Sequence, residues 1–223
     1  IRNRLAKVDS VTVKSIAPEK RKDPAARQAL MRDVDLVVLC LPDDAAKEAV
    51  ALADQLGAKS PKIIDASTAY RIAPDWTYGF PEMAKGHAEV VATSKRVCNP
   101  GAIALIRPLV DAGIMPAGYP VTVNAVSGYS GGGRQMIEAY AAGTAPSFEL
   151  YGLELAHKHV PELQKYGRLT RRPIFVPSVG NFRQGMLISV PLHLDTLSGS
   201  PKIADLEAAL RKHFAGSSLV KVI

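Results

Sequence analysis

The chain has 223 residues, 47% hydrophobic and 22% charged, with a net charge of +7 and two cysteines. That is one large domain or two modest ones of ordinary water-soluble composition, and no apolar run is long enough for a transmembrane helix. Aromatics are only 6% and do not alternate with the dispersed cations, which argues against nucleic acid and leaves small anionic ligands as partners of the positive field. Cys40 and Cys98 make neither a metal pattern nor a disulfide framework, so no metal is expected and a reducing cytoplasm is the expected compartment.

The opening IRNRLAKVDS lacks the apolar core of a signal peptide and reads as the end of a helix. Val11 to Ile16 alternates and is β-branched, which predicts a strand. The turn after it carries Lys20, Arg21 and Lys22. In a dinucleotide fold the end of this strand faces the adenosine ribose, where cations favour the 2′-phosphate of NADP. A solvated loop explains the same cluster.

Asp35 to Leu41 and Pro61 to Ala66 are short apolar runs, as expected of strands buried on both faces. A helix over Ala45 to Leu56 joins them, with an acidic start that suits its dipole. Strand, helix, strand with short links predicts a right-handed βαβ unit and a parallel sheet. Ligands bind such sheets at the carboxyl ends of the strands, which selects Cys40, Leu41, Pro42, Ser67 and Thr68. The thiol of Cys40, inside an apolar run, is expected to be buried and structural. Tyr70 to Glu82 reads as an irregular loop holding the single Trp, either functional or packed over the sheet edge.

Lys95 to Cys98 predicts a short strand, running through Asn99-Pro100-Gly101 into a helix from Ala102 to about Ala112. Val121 to Val126 predicts a strand opening into Ser127-Gly128-Tyr129-Ser130-Gly131-Gly132-Gly133-Arg134. Three consecutive glycines let the backbone approach a ligand and present amides to an anion, and Arg134 suits a carboxylate or phosphate. Pure hairpin geometry explains the glycines equally well. Phe148 to Leu153 is a weak strand. Arg172 to Pro177 and Met186 to Leu194 predict strands antiparallel to each other. Ile203 to Phe214 predicts an amphipathic helix with Ile203, Leu206, Ala209 and Leu210 on one face.

His157-Lys158-His159-Val160-Pro161-Glu162 concentrates the titratable chemistry, with His213 counted as a nearby third histidine. Pro161 suits the first turn of a helix and pushes its predecessor out of the α region. His157 to His159 is therefore expected to be extended, with both imidazoles on one side ahead of a short helix. Imidazole titrates near neutrality and suits a general base or acid. A pair of ordinary surface histidines is the alternative. Glu162 either orients His159 or complements the helix N-terminus.

LCLPDDAA, IIDAST-YR, W-YGFPE, NPG, VSGYSGGGR, HKHVPEL and PSVGNFRQGM occur in this order. Together they closely resemble the short-form (type 2) N-acetyl-γ-glutamyl-phosphate reductases of arginine biosynthesis, and the resemblance runs through nearly the whole chain. It implies an α/β fold like that of glyceraldehyde-3-phosphate dehydrogenase. A Rossmann-type NADP-binding domain over residues 1–100 would precede a mixed-sheet α+β catalytic and oligomerisation domain over 101–223. It also implies NADPH-dependent reduction of an acyl phosphate to a semialdehyde through a cysteine thioester, and a homodimer or homotetramer. His159 would be the base and His157 its neighbour. Asn99, Gly101, Ser127, Gly128, Ser130, Gly131, Gly132, Gly133, Arg134 and Glu162 would serve the substrate, with Arg183 and Gln184 on the far side of the pocket. Cys40, Leu41, Pro42, Ser67, Thr68, Lys20 and Arg21 would serve the cofactor.

The sequence departs from the family pattern in two places. The family's opening strand and Gly-x-x-Gly-x-x-Gly turn would precede residue 1. The family's nucleophilic cysteine directly follows Asn-Pro-Gly, where this chain has Ala102. A catalytically dead NADP-binding homologue, or a reductase of the aspartate-semialdehyde type, are the alternative readings.

Overall fold

The computed structural model describes residues 2–99 and 103–223, so Gly101 and Ala102 lie outside the described residues. The chain forms two compact units, one of residues 1–79 and 90–99 and the other of residues 80–89 and 100–223.

The first unit is built on a parallel four-stranded sheet, ordered β1-β2-β4-β3. Its strands are β1 (Leu36–Leu39), β2 (Lys62–Asp65), β3 (Thr77–Tyr78) and β4 (Arg96–Cys98). Leu39 pairs with Asp65, which pairs with Cys98, so three strand ends align at one rim. Apolar side chains from adjacent strands fill the core: Ile63, Tyr78, Val97 and Cys98 are all buried. Helix α3 (Asp43–Asp54) buries Ala46, Ala49, Val50 and Ala53, a stripe at helical spacing, and so follows the βαβ expectation. After α1 (Arg2–Leu5), helix α2 (Pro24–Arg32) was not expected from the pattern. Its start is nonetheless strongly encoded: the Asp23 carboxylate accepts from the amides of Ala25 and Ala26, and Pro24 opens the first turn. The short β3 lies inside the segment read as an irregular loop.

Val11 to Ile16 is not a strand. It makes no ladder with any described strand, and β1 stands at the sheet edge with a cleft between. Alternation alone does not make a strand; the segment must also close onto an edge, and here the cleft lies between. Cys40 is exposed rather than buried, because β1 ends at Leu39 and lies at that edge.

The second unit holds a mixed sheet ordered β6-β7-β5-β8. Its strands are β5 (Thr122–Gly128), β6 (Phe148–Leu150), β7 (Ile174–Gly180) and β8 (Met186–Ser189). β7 and β8 do run antiparallel, but they are not neighbours: β5 lies between them, parallel to β7 and antiparallel to β8. β8 stops before Pro191, which has no amide for a ladder. One sheet face buries Val123, Ala125, Phe175, Pro177 and Val179. The opposite face presents Phe148, Leu150, Ile174 and Leu187, all exposed.

Around the sheet lie α5 (Arg107–Asp111), α6 (Gly133–Ala141), α7 (Val160–Tyr166) and α8 (Ile203–His213), while α4 (His87–Thr93) runs between residues of both units. α5 is half the expected length because Pro108 lacks an amide and its ring excludes a helical carbonyl four residues back. Residues 103–106 form a tight turn instead, with Ile103 and Ile106 fully buried. On α8, Leu206, Ala209 and Leu210 are partly covered, but Ile203 is 74% exposed.

Candidate active site

The Glu162 carboxylate is 1% exposed, and its Oε1 lies 2.5 Å from His159 Nδ1. The pair follows from local sequence. His159 caps α7 and Glu162 stands in the first turn, three residues on, where side chains of a helix start meet. Donation from Nδ1–H to a buried carboxylate fixes the tautomer and puts the basic lone pair of the ring on Nε2. It also prepares the site for the positive charge that appears when Nε2 takes a proton. This is the hydrogen-bond arrangement of a general base with an orienting acid.

His159 is not extended. Its φ of −83° and ψ of −13° are helical, and Val160 opens the helix although it precedes proline. The pre-proline restriction is a bias that falls on Val160 alone, and here the buried Val160, Glu162 and Leu163 outweigh it. The two imidazoles still converge, with ring centroids 4.7 Å apart. The His159 amide donates to His157 Nδ1 at 3.2 Å, so that nitrogen of His157 is an acceptor. His157 packs against Phe175 at 5.0 Å and Tyr151 at 5.7 Å between centroids. Burial, with the neighbouring charges of His159 and Lys158, lowers its pKa from 6.5 to about 4. His157 is therefore neutral at pH 7, with its Nδ1 accepting from the His159 amide. His213 is not part of this cluster: its Nε2 bonds the Glu82 carbonyl and its ring packs on Phe214.

The glycine-rich turn sits at the carboxyl end of β5. Amides of Gly128, Tyr129 and Ser130 donate to the carbonyls of Gly185, Phe182 and Arg183, each at 3.0 Å. A Cβ on Gly128 would lie 2.7 Å from the Gln184 amide nitrogen, so only glycine lets these backbones meet. The structure thus brings Ser127 to Ser130 together with Arg183 and Gln184. Gly131, Gly132 and Gly133 are exposed at the start of α6, and Gly133 has a φ of +79°. Arg134 is also exposed, and its guanidinium pairs with Glu138 one turn along the helix at 2.6 Å. Phe175, which carries the His157 contact, is in register with Val123, and roughly 16 Å of strand separates that position from Gly128. The histidine pair and the glycine turn therefore stand at different heights on the sheet.

In the first unit, a cleft of about 810 Å³ runs along the free edge of β1, lined among others by Ser15, Arg21, Lys22, Cys40 and Leu41. Arg21 and Lys22 make no ion pair among the described residues, whereas Lys14 is paired with Asp33 and Arg27 with Glu48. Two uncompensated cations beside an apolar wall suit a dinucleotide bearing a ribose phosphate. Lys20 and Pro42 do not line this cleft. Ser67 is buried and donates to Asp65 at 2.5 Å. Thr68 donates through its amide (2.9 Å) and its hydroxyl (2.6 Å) to the Asp43 carboxylate, joining the loop after β2 to the first turn of α3. Asn99 follows β4 directly and donates its main-chain amide to the Asp65 carbonyl at 2.8 Å. Both cysteines belong to the first unit, and Cys98 is fully buried with its thiol directed at the carbonyls of Arg71 and Thr77.

Sequence reasoning missed Phe175, Tyr151 and Asp43. Asp43 is legible as an acid at a helix start, but its use by Thr68, 25 residues away, needs the sheet to be assembled. The aromatic wall around His157 comes from β7 and from the residue that follows β6, and has no local signal. Among the described residues, no helix is long and apolar enough to cross a membrane, and no three acidic, His or Cys side chains are grouped to hold a metal ion.

Residues 6–91 match the family model described as semialdehyde dehydrogenase, NAD binding domain, and residues 98–223 match semialdehyde dehydrogenase, dimerisation domain. The N-acetyl-gamma-glutamyl-phosphate reductase of Brucella ovis is 53% identical over 233 residues, covering 100% of this chain and 74% of that protein. The protein of the same name from Brucella melitensis biotype 1 is 52% identical over the same span. Among solved structures, aspartate semialdehyde dehydrogenase from Francisella tularensis superposes with a TM-score of 0.61 at 11% identity, over 83% of this chain and 65% of that one. Aspartate semialdehyde dehydrogenase with NADP from Candida albicans gives 0.55 at 15%, over 91% and 63%. This chain therefore spans less than two thirds of the length of either solved structure, and at these identities the likeness shows the fold. With two domain models along its length and half its residues shared with named relatives, the chain belongs to the N-acetyl-gamma-glutamyl-phosphate reductase family, on a semialdehyde dehydrogenase fold.

Proposed function

We propose that the chain catalyses NADPH-dependent reduction of N-acetyl-L-glutamyl 5-phosphate to N-acetyl-L-glutamate 5-semialdehyde with release of phosphate, the reductive step of arginine biosynthesis. The observation that carries this reading is the buried Glu162 paired with His159 Nδ1. His159 Nε2 accepts the proton of a thiol as its sulfur adds to the acyl carbonyl and the bond to phosphate oxygen breaks. Glu162 holds the ring and offsets the charge of the imidazolium. His157, neutral and packed, keeps the His159 backbone in place. NADPH, when bound beside Arg21 and Lys22, supplies the hydride. Ser127, Gly128, Ser130, Arg183 and Gln184 form the turn assigned to the substrate's far end, and Asn99 belongs to the strand end nearest the family's nucleophile in sequence. The apolar sheet face of Phe148, Leu150, Ile174 and Leu187 is where a second copy docks, giving a homodimer or homotetramer. Free thiols and a biosynthetic role fit the cytoplasm.

One observation favours a second reading. Ala102 follows Gly101, and the Cys98 thiol is fully buried against the carbonyls of Arg71 and Thr77. The relatives' aligned stretch is also longer than this chain. A chain without the nucleophile binds NADP and substrate without turnover. Phosphate-dependent reduction of NADP by the semialdehyde, abolished by alkylation and by H159N, supports the reductase. Tight NADP binding with no turnover supports the binding protein.

A further inference from the structure

Arg107 lies on α5, only 6% exposed, and its guanidinium is held in two directions. Nε pairs with Asp111 at 2.7 Å, and one terminal nitrogen donates to the Tyr166 carbonyl at 2.9 Å. Tyr166 is the last residue of α7, where carbonyls lack partners within the helix. Asp111 is itself shared with Arg168 at 2.8 Å, just past the end of α7. Packing adds to the joint, since the site where Gly167 would carry a Cβ is 3.2 Å from Ile106.

α7 has seven residues, about 10 Å of helix. Two turns are too few to hold a helix by its own hydrogen bonds, so its place is set by tertiary anchors. Its first turn carries Glu162 and its cap is His159, while its last carbonyl is bound by Arg107. A leucine would fill the Arg107 site without burying a charge, and a buried ion pair gains little stability over such packing. A planar donor fork does what leucine cannot, fixing both distance and direction.

We infer that Arg107 is a positioning residue for the His159–Glu162 pair, gripping α7 from its far end so that the imidazole and the carboxylate stay in register. This rests on the reading of that pair as the catalytic base and its orienting acid. The test follows the pair itself in histidine-labelled protein, by the downfield Nδ1–H proton of the His159–Glu162 hydrogen bond. H159N assigns the resonance by removing it, and E162Q by moving it upfield as the charge-assisted bond becomes a neutral one. R107M is expected to speed its exchange with water at least ten-fold, and R107K to recover most of the protection. D111N, which removes the charge opposite Nε and leaves the arginine in the core, is expected to act in the same direction and serves if R107M does not fold. A resonance that R107M or D111N leaves unmoved in position and exchange, in protein that melts at a lower temperature, would mean a merely structural arginine and overturns the inference. A parent spectrum without the resonance overturns the inference together with the reading of the pair.

Discussion

Replacing Gly128 by alanine tests the join between the β5 turn and the 182–185 segment. The residue has φ −67° and ψ 148°, which alanine adopts freely, so the cost is steric alone. The added Cβ would stand 2.7 Å from the Gln184 nitrogen, 2.8 Å from its Cα and 2.8 Å from the Phe182 carbonyl oxygen. Ordinary contact begins near 3.5 Å, so the two backbones must part by roughly 0.7 Å. That stretches three bonds of 3.0 Å, from Gly128, Tyr129 and Ser130, beyond hydrogen-bond range. Overpacking costs about 1–3 kcal/mol and weakening the three bonds adds about 1 kcal/mol or more, giving a loss of about 2–4 kcal/mol. Urea unfolding followed by far-UV circular dichroism reads this as a lower midpoint at unchanged slope. Gly131→Ala is the control: its nearest neighbour is the Ser127 hydroxyl at 3.1 Å, which can rotate, so the change stays within about 0.5 kcal/mol. A G128A protein as stable as the parent, or a G131A protein equally damaged, would refute the steric argument.

Glu162→Gln keeps the shape and removes the charge opposite His159. A charge-assisted bond exceeds a neutral one by about 1–1.5 kcal/mol, so kcat should fall about ten-fold with the substrate KM nearly unchanged; an unaltered kcat counts against the orienting role. His157 has its pKa lowered on folding, so its contribution to stability is present above pH 6.5 and is lost as pH falls through about 4. His157→Asn should flatten the stability curve across that window, and an equal loss of stability between pH 7 and pH 5 in parent and variant, by urea titration, would disprove it. Arg21→Ala with Lys22→Ala should weaken NADPH binding about ten-fold or more while leaving NADH nearly unaffected, by fluorescence titration. Equal losses for both cofactors would remove these cations from the 2′-phosphate.

The elements legible in the sequence were those whose signal is local. Apolar runs at β1 and β2, the short strand β4, the acidic first turn of α3 and the parallel arrangement all followed from patterns a few residues long. The family itself was legible because its motifs are specific in combination. What failed depended on distant partners. Val11 to Ile16 has the composition of a strand, but a cleft separates it from the free edge of β1 and no ladder forms. Cys40 has apolar neighbours in sequence and solvent in space, because its strand lies at an edge. The order β7-β5-β8 cannot be read from two strands that merely look antiparallel. At the site, the nearness of His157, His159 and Glu162 in sequence made the pair predictable. The spacing of that pair from the glycine turn became visible only through the register of β5 and β7. Arg134, the most conspicuous cation of its motif, turned out to be satisfied by Glu138 on its own helix.

Thr68 sits in a loop, yet both of its donors are spent on Asp43 in another element. A loop amide normally exchanges its proton through small local openings. This one opens only by breaking its bond to Asp43, which stands in the first turn of a helix that buries four side chains. The rims after β1 and β2 are joined through this pair of bonds. Any ligand that orders one of them slows exchange in both, which makes the Thr68 amide a reporter for occupancy of a cleft it does not line.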